Sequence, residues 1–530
     1  MRTIAKHLLV ITFFTLVTLI VTWPLIFNPN TLIIDRFDGL LITWILNWNI
    51  HSFSSGITGL TNYFQANIFY PFSNTLAFSD YHFLSALIAT PFVLVFKEPL
   101  IAYNLTLILG FILTAYTTFL LLDFLTKDPK TATLGAILFT FSTLHINYLA
   151  HLQLFAFWPV ILTLYFLFRK WRFPYIALFV LSSLNSPLNF YFLLLSFTLV
   201  LIFQKDQRWA TIPTILSAII VAPFFLPYIQ ISRISGYVRP INDVIHFSFQ
   251  IPDLFHISPA SRLWSLSPIR DNLTPGYFGL VFFGLAALML AFNFPHREKI
   301  KLQTKFFVFL AGISFILSLG PGLHIFRDTI HVGPLPIIPL PYLALYYLLP
   351  GFSGFRTPSR WILLTAFALA MAIGLYFAKR LNGKLITFLI ITILVEINFP
   401  FSYSRVPSLQ DFPPEQAWLV NNYVGEPIIQ FPLYNWSDQP EFGLETLREY
   451  YSTIHFHPMV NGFSGYSPKP WEERVKWLQK NFPSEESLSY LQNLGIKLVL
   501  APAAWRNMTA WENRLKLVAS FPETNIYEML

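Results

Sequence analysis

The sequence predicts an all-α polytopic membrane protein of about 11 transmembrane helices, with juxtamembrane helices in the first outer loop and a small C-terminal α/β domain. Three observations support this fold class. Hydrophobic residues make up 55% of the 530 residues, and charged residues only 12%. Apolar runs of about 20 residues recur along the chain, and they stop near residue 403. Because soluble domains carry roughly a quarter of their residues charged, this composition indicates a membrane protein.

The apolar runs each approach the length that a helix needs to cross the hydrocarbon core. They lie at 8–27, 101–125, 131–148, 152–168, 174–188, 189–204, 209–230, 276–294, 305–320, 359–378 and 384–402. The run 82–97 is a further candidate, but it is short and contains Pro91, which removes a helical hydrogen bond.

Basic loops decide the orientation. They are 127–130, 169–172, 204–208, 296–305 and 379–384. If 82–97 does not cross, all five lie on the side of the N-terminal MRTIAKH, as the excess of Lys and Arg in cytoplasmic loops requires. We therefore predict that 82–97 is a juxtamembrane or re-entrant helix, that the N-terminus is cytoplasmic and that the tail is extracytoplasmic.

The charge distribution and the cysteine content exclude several classes of function. The net charge of +8 is spread over short loops, so we interpret it as a topology signal rather than a nucleic-acid-binding surface. With no cysteine, the chain has no disulfide and no thiolate metal site. The sequence also lacks Walker, dinucleotide-binding, HExxH and nucleophile-elbow motifs. An activated substrate would therefore reach the protein ready-made through the membrane.

In the tail after about residue 403, charged residues and proline are frequent and no segment could span a membrane. We therefore predict domains at 1–403 and 404–530. Strand-like runs at 426–433, 496–502 and 525–529 alternate with helix-like runs at 413–424, 470–482 and 484–495. Pro470 suits a first helical turn, and Gly495 suits a helix end.

Asp35 and Asp38 are the first candidate site residues. They follow the first predicted span, where ionised groups are costly and tend to be paired or functional. Arg36 lies between them, so a simple interfacial ion pair is an open alternative. The next residues, with Trp44 and Trp48 among apolar ones, predict an amphipathic interfacial helix.

Two further groups lie in predicted outer segments. His151 and Gln153 belong to HINYLAHLQ, whose two histidines are six apart and therefore do not share a helix face. Arg356 and Arg360 are four apart at the entrance of a span, where guanidinium groups and helix N–H groups suit a phosphate; contact with lipid headgroups is the alternative. A looser basic group occupies the loop 231–275, and its members are Arg233, Arg239, His246, Arg262 and Arg270.

The order of one span, a long acidic outer loop, further spans and an outer tail resembles the GT-C superfamily of polyprenyl-phosphate-dependent glycosyltransferases. The segments DGLLITWILNW, LAHLQLFAFWPV, PGFSGFRTPSRW and IIQFPLYNW are similar to those of mannosyltransferase-like and YfhO-like bacterial membrane proteins. The resemblance implies a GT-C-like membrane domain in the cell (inner or plasma) membrane and a role in the cell envelope.

The resemblance also implies a reaction and roles. Asp38, and as second choice Asp35, would act as catalytic base or hold a divalent cation such as Mg²⁺ or Mn²⁺. The other site residues would bind a polyprenyl-phosphate sugar donor and an extracytoplasmic acceptor, which is an envelope glycan, lipid or protein. Direct displacement would make the enzyme inverting. A transporter of lipid-linked sugars or polysaccharide, and a non-catalytic scaffold for envelope assembly, are the alternatives.

Overall fold

The computed structural model describes residues 2–235, 238–266, 274–293, 302–325, 328–330, 338–349 and 351–530. The chain divides into two compact units. We name Met1–Phe27, Leu107–Ser232 and Gly236–Ser402 the helical unit, and Asn28–Thr106, Arg233–Ser235 and Tyr403–Leu530 the loop–tail unit. Arg270 and most of the basic loop 296–305 lie outside the described residues.

Most of the described chain is helical. In chain order the helices are α1 Arg2–Val21, α2 Asp38–Ser54, α3 Gly56–Thr61, α4 Phe83–Phe96, α5 Pro99–Thr126, α6 Pro129–Thr140, α7 Thr143–Ile146, α8 Leu152–Phe155, α9 Trp158–Arg169, α10 Arg172–Ser183, α11 Pro187–Phe203, α12 Thr211–Ser235, α13 Ile241–His246, α14 Leu280–Asn293, α15 Leu302–Ser318, α16 Pro341–Leu348, α17 Trp361–Phe377, α18 Gly383–Glu396, α19 Pro414–Asn422, α20 Leu444–Ser452, α21 Lys469–Asn481 and α22 Glu485–Asn493.

Strands are few and short. They are β1 Leu32–Ile33, β2 His324–Ile325, β3 Asp328–Thr329, β4 Ser404–Arg405, β5 Ile428–Gln430, β6 Leu498–Pro502, β7 Leu515–Ser520 and β8 Thr524–Met529.

The helices identify a membrane protein. Within the described residues, five helical stretches are long and apolar enough to cross a bilayer, namely Ile4–Val21, Pro99–Thr126, Leu152–Arg169, Lys205–Arg233 and Pro358–Phe377. Each of the other predicted runs also contains a helix, although these helices are shorter. The total of 11 spans and the predicted orientation stay predictions. The run 82–97 forms α4, which continues through Pro91 rather than ending there.

The helical unit is organised around α17, which is buried along nearly its whole length and packs against α6, α14 and α15. Close approach between helices depends on glycine. A Cβ on Gly135 would lie 2.4 Å from Leu122 Cδ1, and one on Gly374 would lie 2.9 Å from Leu122 Cδ2. Leu122 therefore occupies a notch between two glycines, the kind of small-residue contact on which membrane helices rely.

The core of the loop–tail unit is a four-stranded sheet in the order β5-β6-β8-β7. β5 runs parallel to β6, and the other two pairings are antiparallel. Predicted strands at 426–433, 496–502 and 525–529 correspond to β5, β6 and β8, and the predicted helices correspond to α19, α21 and α22. Gly495 adopts a positive φ of 74° after α22, as expected for a helix end.

Backbone hydrogen bonds join Phe69 and Tyr70 to the tail within this unit. The N–H of Phe69 donates to the carbonyl of Asn461 at 3.0 Å, and the N–H of Tyr70 donates to that of Met459 at 2.8 Å. On its other side the same tail segment bonds to β5, because the N–H of Val460 donates to Ile428 at 3.0 Å. The compact unit that contains the tail therefore also contains residues 28–106. The boundary predicted at 403/404 stays a prediction.

Candidate functional site

Asp35 closes the turn that begins α2. Its Oδ1 accepts the backbone N–H of Phe37 at 2.9 Å and that of Asp38 at 2.7 Å. The first N–H groups of a helix have no partner inside the helix, and a short acidic side chain before the helix satisfies them. Asp35 lies two residues before the N-cap residue Phe37 and thus accepts two of the N–H groups left open at the helix start, a role that the sequence pattern did not reveal.

Asp38 is the first residue of α2 and is partly exposed. Negative charge is favoured at this position, because the helix dipole places its positive end there. The following Gly39 allows close packing. A Cβ on it would lie 2.9 Å from Ile33 Cδ1 and 3.8 Å from Tyr103 Cζ. Tyr103 also lies within electrostatic range of both aspartates. The backbone that carries the Asp38 carboxylate is therefore held at the start of α2.

Trp44 and Trp48 of α2 are buried, with 1% and 8% of their surface exposed. The Trp44 Nε1–H donates to Asn67 Oδ1 at 3.0 Å, and the Trp48 Nε1–H donates to the carbonyl of Tyr63 at 2.9 Å. Both indoles are thus satisfied inside the loop–tail unit. This burial favours a structural role over the predicted contact with substrate.

The turn before α2 rests on α20 of the tail. The Thr446 Oγ1 lies 3.0 Å from the carbonyl oxygen of Arg36 and 2.7 Å from that of Gly443. A Cβ on Gly443 would lie 2.4 Å from Phe37 Cε1. A tail helix that the sequence analysis did not predict therefore supports the candidate carboxylate.

Buried charges hold α20 itself in place. Glu445 is fully buried and pairs with Arg448, whose Nη1 lies 2.6 Å from Glu445 Oε1. The Asn461 side chain donates to Glu445 Oε2 at 3.0 Å. Glu449 is also fully buried and accepts the N–H of Phe463. Burial raises the pKa of Glu449 well above its usual value, and the nearby Glu445 adds to this effect.

The second group of candidates lies in the helical unit. His151 precedes α8 and is partly exposed, whereas Gln153 is buried within α8. The His151 ring makes an edge contact with Tyr148 at 6.4 Å between centroids. His145 of the same motif is buried, with its two ring nitrogens 2.8 and 2.9 Å from the carbonyl oxygens of Thr140 and Phe155. His145 therefore ties the turn together.

The structure places this turn next to Ser359 and Arg360 of PGFSGFRTPSRW. The Tyr148 hydroxyl lies 3.4 Å from the carbonyl oxygen of Ser359 and within electrostatic range of Arg360. The guanidinium of Arg356 lies over the Phe247 ring, 4.5 Å from its centroid. Both arginines are partly exposed. We name Tyr148, His151, Arg356 and Arg360 the basic cluster.

Arg239 lies in the same region of the helical unit. Its backbone N–H donates to the carbonyl of Ser353 at 3.1 Å, and its carbonyl accepts the hydroxyl of Tyr346 at 2.6 Å. Arg233 is exposed in the last turn of α12 and belongs to the loop–tail unit. The predicted basic loop is thus divided between the two units.

A divalent cation needs several oxygen ligands at one place. Among the residues that the structure describes, no group of three or more His, Asp or Glu side chains could hold one. One oxygen of Asp35 already accepts two backbone N–H groups. Dependence on a divalent cation therefore stays a prediction, and we derive no step through a cation.

Three solved structures with low sequence identity are similar to the chain. ArnT from Cupriavidus metallidurans in the apo state is 11% identical with a TM-score of 0.40, covering 99% of this chain and 98% of that chain. The same protein bound to undecaprenyl phosphate is 11% identical with a TM-score of 0.39 at the same coverage. The Archaeoglobus fulgidus oligosaccharyltransferase in the apo form is 14% identical with a TM-score of 0.46, covering 94% and 69%.

Sequence comparison gives the family. No match was found among the curated proteins. The model of the family described as "Domain of unknown function (DUF6311)" matches residues 41–397, which is more than half of the chain. The protein therefore belongs to the DUF6311 family.

Proposed function

We propose that the protein is a membrane glycosyltransferase that moves a sugar from a polyprenyl-phosphate donor to an extracytoplasmic acceptor in the cell envelope. The observation that carries the proposal is the fixed placement of Asp38 at the start of α2, directly after the turn that Asp35 closes. The resemblance of the sequence to GT-C enzymes, whose first outer loop carries the acidic residue, supports the same assignment.

Asp38 acts as the general base in this proposal. Its carboxylate takes the proton of the acceptor hydroxyl while the hydroxyl oxygen attacks the anomeric carbon. The bond between that carbon and the phosphate oxygen breaks at the same time, and polyprenyl phosphate leaves with the electron pair. One such displacement inverts the anomeric centre, so retention of configuration in the product would refute this step.

The basic cluster binds the donor phosphate. Guanidinium groups form paired, charge-assisted hydrogen bonds with phosphate oxygens, and they offset the charge that develops on the leaving group. Arg356 and Arg360 have this role. We further propose that His151, Gln153 and Arg239 of the helical unit orient the phosphate or the sugar. Arg233 stays a predicted donor-binding residue.

Two roles are reassigned or left conditional. Because Trp44 and Trp48 are buried, we propose that they support α2 rather than contact the sugar. If transfer requires Mg²⁺ or Mn²⁺, Asp35 and Asp38 are the proposed ligands. Loss of transfer on chelation would show the metal requirement.

The test is sugar transfer by purified protein in liposomes, with radiolabelled polyprenyl-phosphate sugars and an envelope acceptor fraction. We expect Asp38→Asn to lower kcat by about 10²- to 10⁴-fold, the usual contribution of a general base. Asp35→Asn keeps an acceptor oxygen for the turn and shows whether the charge of Asp35 is needed as well.

A second pair of variants tests donor binding. Arg356→Gln should raise the KM for the donor, because a charge-assisted bond to phosphate is lost. Arg380→Gln is the control, since the Arg380 guanidinium also lies over an aromatic ring, 4.2 Å from the Tyr376 centroid, but in a predicted cytoplasmic loop. Equal transfer by wild type and Asp38→Asn would remove Asp38 from its role. Donor binding without transfer by the wild type would favour the transporter or scaffold.

A further inference from the structure

We propose that Thr446 and Gly443 of the tail are positioning residues for Asp38, and that α20 thereby sets the rate of the chemical step without contacting substrate. This inference rests on the proposed function. It concerns residues that lie about 400 positions along the chain from Asp38, since Thr446 and Arg36 are separated by 410 residues.

The turn before α2 is held by hydrogen bonds within the turn and by a contact from α20. Internally, Asp35 Oδ1 accepts the N–H groups of Phe37 and Asp38. Externally, the carbonyl oxygen of Arg36 lies 3.0 Å from Thr446 Oγ1, whose residue is fully buried. The hydroxyl has one proton and also lies 2.7 Å from the carbonyl oxygen of Gly443, so the two oxygens share it. Its contact with Arg36 restricts rotation of the Arg36–Phe37 peptide, which lies one peptide before Asp38.

Gly443 adds a steric constraint. Its φ of −63° is open to any residue, so backbone conformation does not require glycine here. The close approach of Phe37 is what requires glycine here. An added Cβ would lie 2.4 Å from Cε1 and 3.2 Å from Cδ1 of the Phe37 ring. The Phe37 ring is 41% exposed, so it can move outward, and any such movement would displace the turn that carries Asp38.

The support itself is rigid. α20 carries Glu445 and Glu449, both fully buried, and the paired Arg448 also donates to the carbonyl of Pro432 at 2.8 Å. Removing one partner of a buried ion pair such as Glu445–Arg448 is costly. α20 can therefore serve as a fixed base against which the turn is held.

General-base catalysis depends on hydrogen-bond reach to the proton that is removed, and a displacement of about 1 Å can cost about 10²-fold in rate. A loosened turn should thus lower kcat. The KM for the donor should stay unchanged, because the phosphate ligands belong to the basic cluster.

The experiment compares Thr446→Val, Thr446→Ser and Gly443→Ala with the control Thr453→Val in the full-length protein. Thr453 lies directly after α20, and its Oγ1 is 2.7 Å from the carbonyl oxygen of Tyr450, so it loses a similar hydroxyl without reaching the turn. Two readouts are taken, which are hydrogen exchange of the Phe37 and Asp38 amides and steady-state transfer with undecaprenyl-phosphate sugars.

We expect Thr446→Val to speed exchange of these amides roughly three- to tenfold, in line with loss of one net hydrogen bond, and to lower kcat at constant donor KM. Thr446→Ser should restore both values, Gly443→Ala should behave like Thr446→Val, and Thr453→Val should change neither. Unchanged exchange in Thr446→Val would overturn the inference whatever the transfer rate. Faster exchange with an unchanged kcat would overturn it as well. An inactive wild type would refute the proposed function instead, and exchange alone would then decide whether α20 fixes the turn.

Discussion

Replacing Asp35 by alanine separates a capping role from a chemical one. The substitution removes an oxygen that accepts two N–H groups, at 2.9 and 2.7 Å. Loss of such a cap costs about 0.5 to 2 kcal/mol, and loss of negative charge near the helix start adds about 0.3 to 1 kcal/mol. The site is partly exposed, so we expect a total near the lower end, about 1 to 2 kcal/mol.

This energy has a direct local readout. A change of 1 to 2 kcal/mol alters an opening equilibrium by roughly 5- to 30-fold. Hydrogen exchange of the Phe37 and Asp38 amides in Asp35→Ala should quicken by that factor. Asp35→Asn retains an acceptor oxygen and should stay within about threefold of the wild type, since asparagine caps helices nearly as well as aspartate.

Two results would contradict the reasoning. Equal exchange in Asp35→Ala and wild type would show that the two hydrogen bonds do not hold the turn. Loss of sugar transfer in Asp35→Asn as complete as in Asp38→Asn would show that the charge of Asp35 takes part in the chemistry.

Two more predictions concern the loop–tail unit. Asn67→Ala should lower its stability by roughly 2 to 4 kcal/mol, because the buried Trp44 Nε1–H loses its acceptor and two bonds from the Asn67 amide to the tail disappear; thermal unfolding in detergent measures this. Glu449→Gln should remove a pH dependence of stability. Because burial raises the pKa of Glu449, the folded wild type binds that proton more tightly than the unfolded chain, so its stability falls as the pH rises above about 4.5, and the variant lacks this slope.

Each of these has its own check. A wild-type melting temperature for Asn67→Ala would contradict the network. Melting temperatures of Glu449→Gln and wild type that stay parallel from pH 5 to 8 would mean that Glu449 does not titrate differently on folding.

Hydropathy predicted the helices well because few backbone structures are stable within a bilayer. Backbone groups in hydrocarbon must be satisfied within the segment, so a long apolar run is almost always helical. Every predicted run coincides with one or more helices. α4 differs from expectation at Pro91, since packing against α2 retains the helix despite the lost hydrogen bond.

Less of the candidate site could be predicted from the sequence. Asp35 and Asp38 look alike in the sequence, and only geometry separates the cap from the helix's first residue. The role of α20 was missed altogether, since LETLREYYS has the composition of an exposed helix while Glu445 and Glu449 are buried. Contacts made across hundreds of residues leave no periodic signal in a single sequence.

The hydrogen bonds between residues 67–70 and the tail also have a consequence for biosynthesis. Asn67 and the carbonyl of His457 bond across 390 residues. At about 5 to 20 residues per second, a ribosome needs roughly 20 to 80 s to cover that interval. During this time the loop has emerged without its partner, with backbone groups and indoles that are later buried still open to water. Partly synthesised chains therefore expose these groups to proteases and to aggregation during that interval.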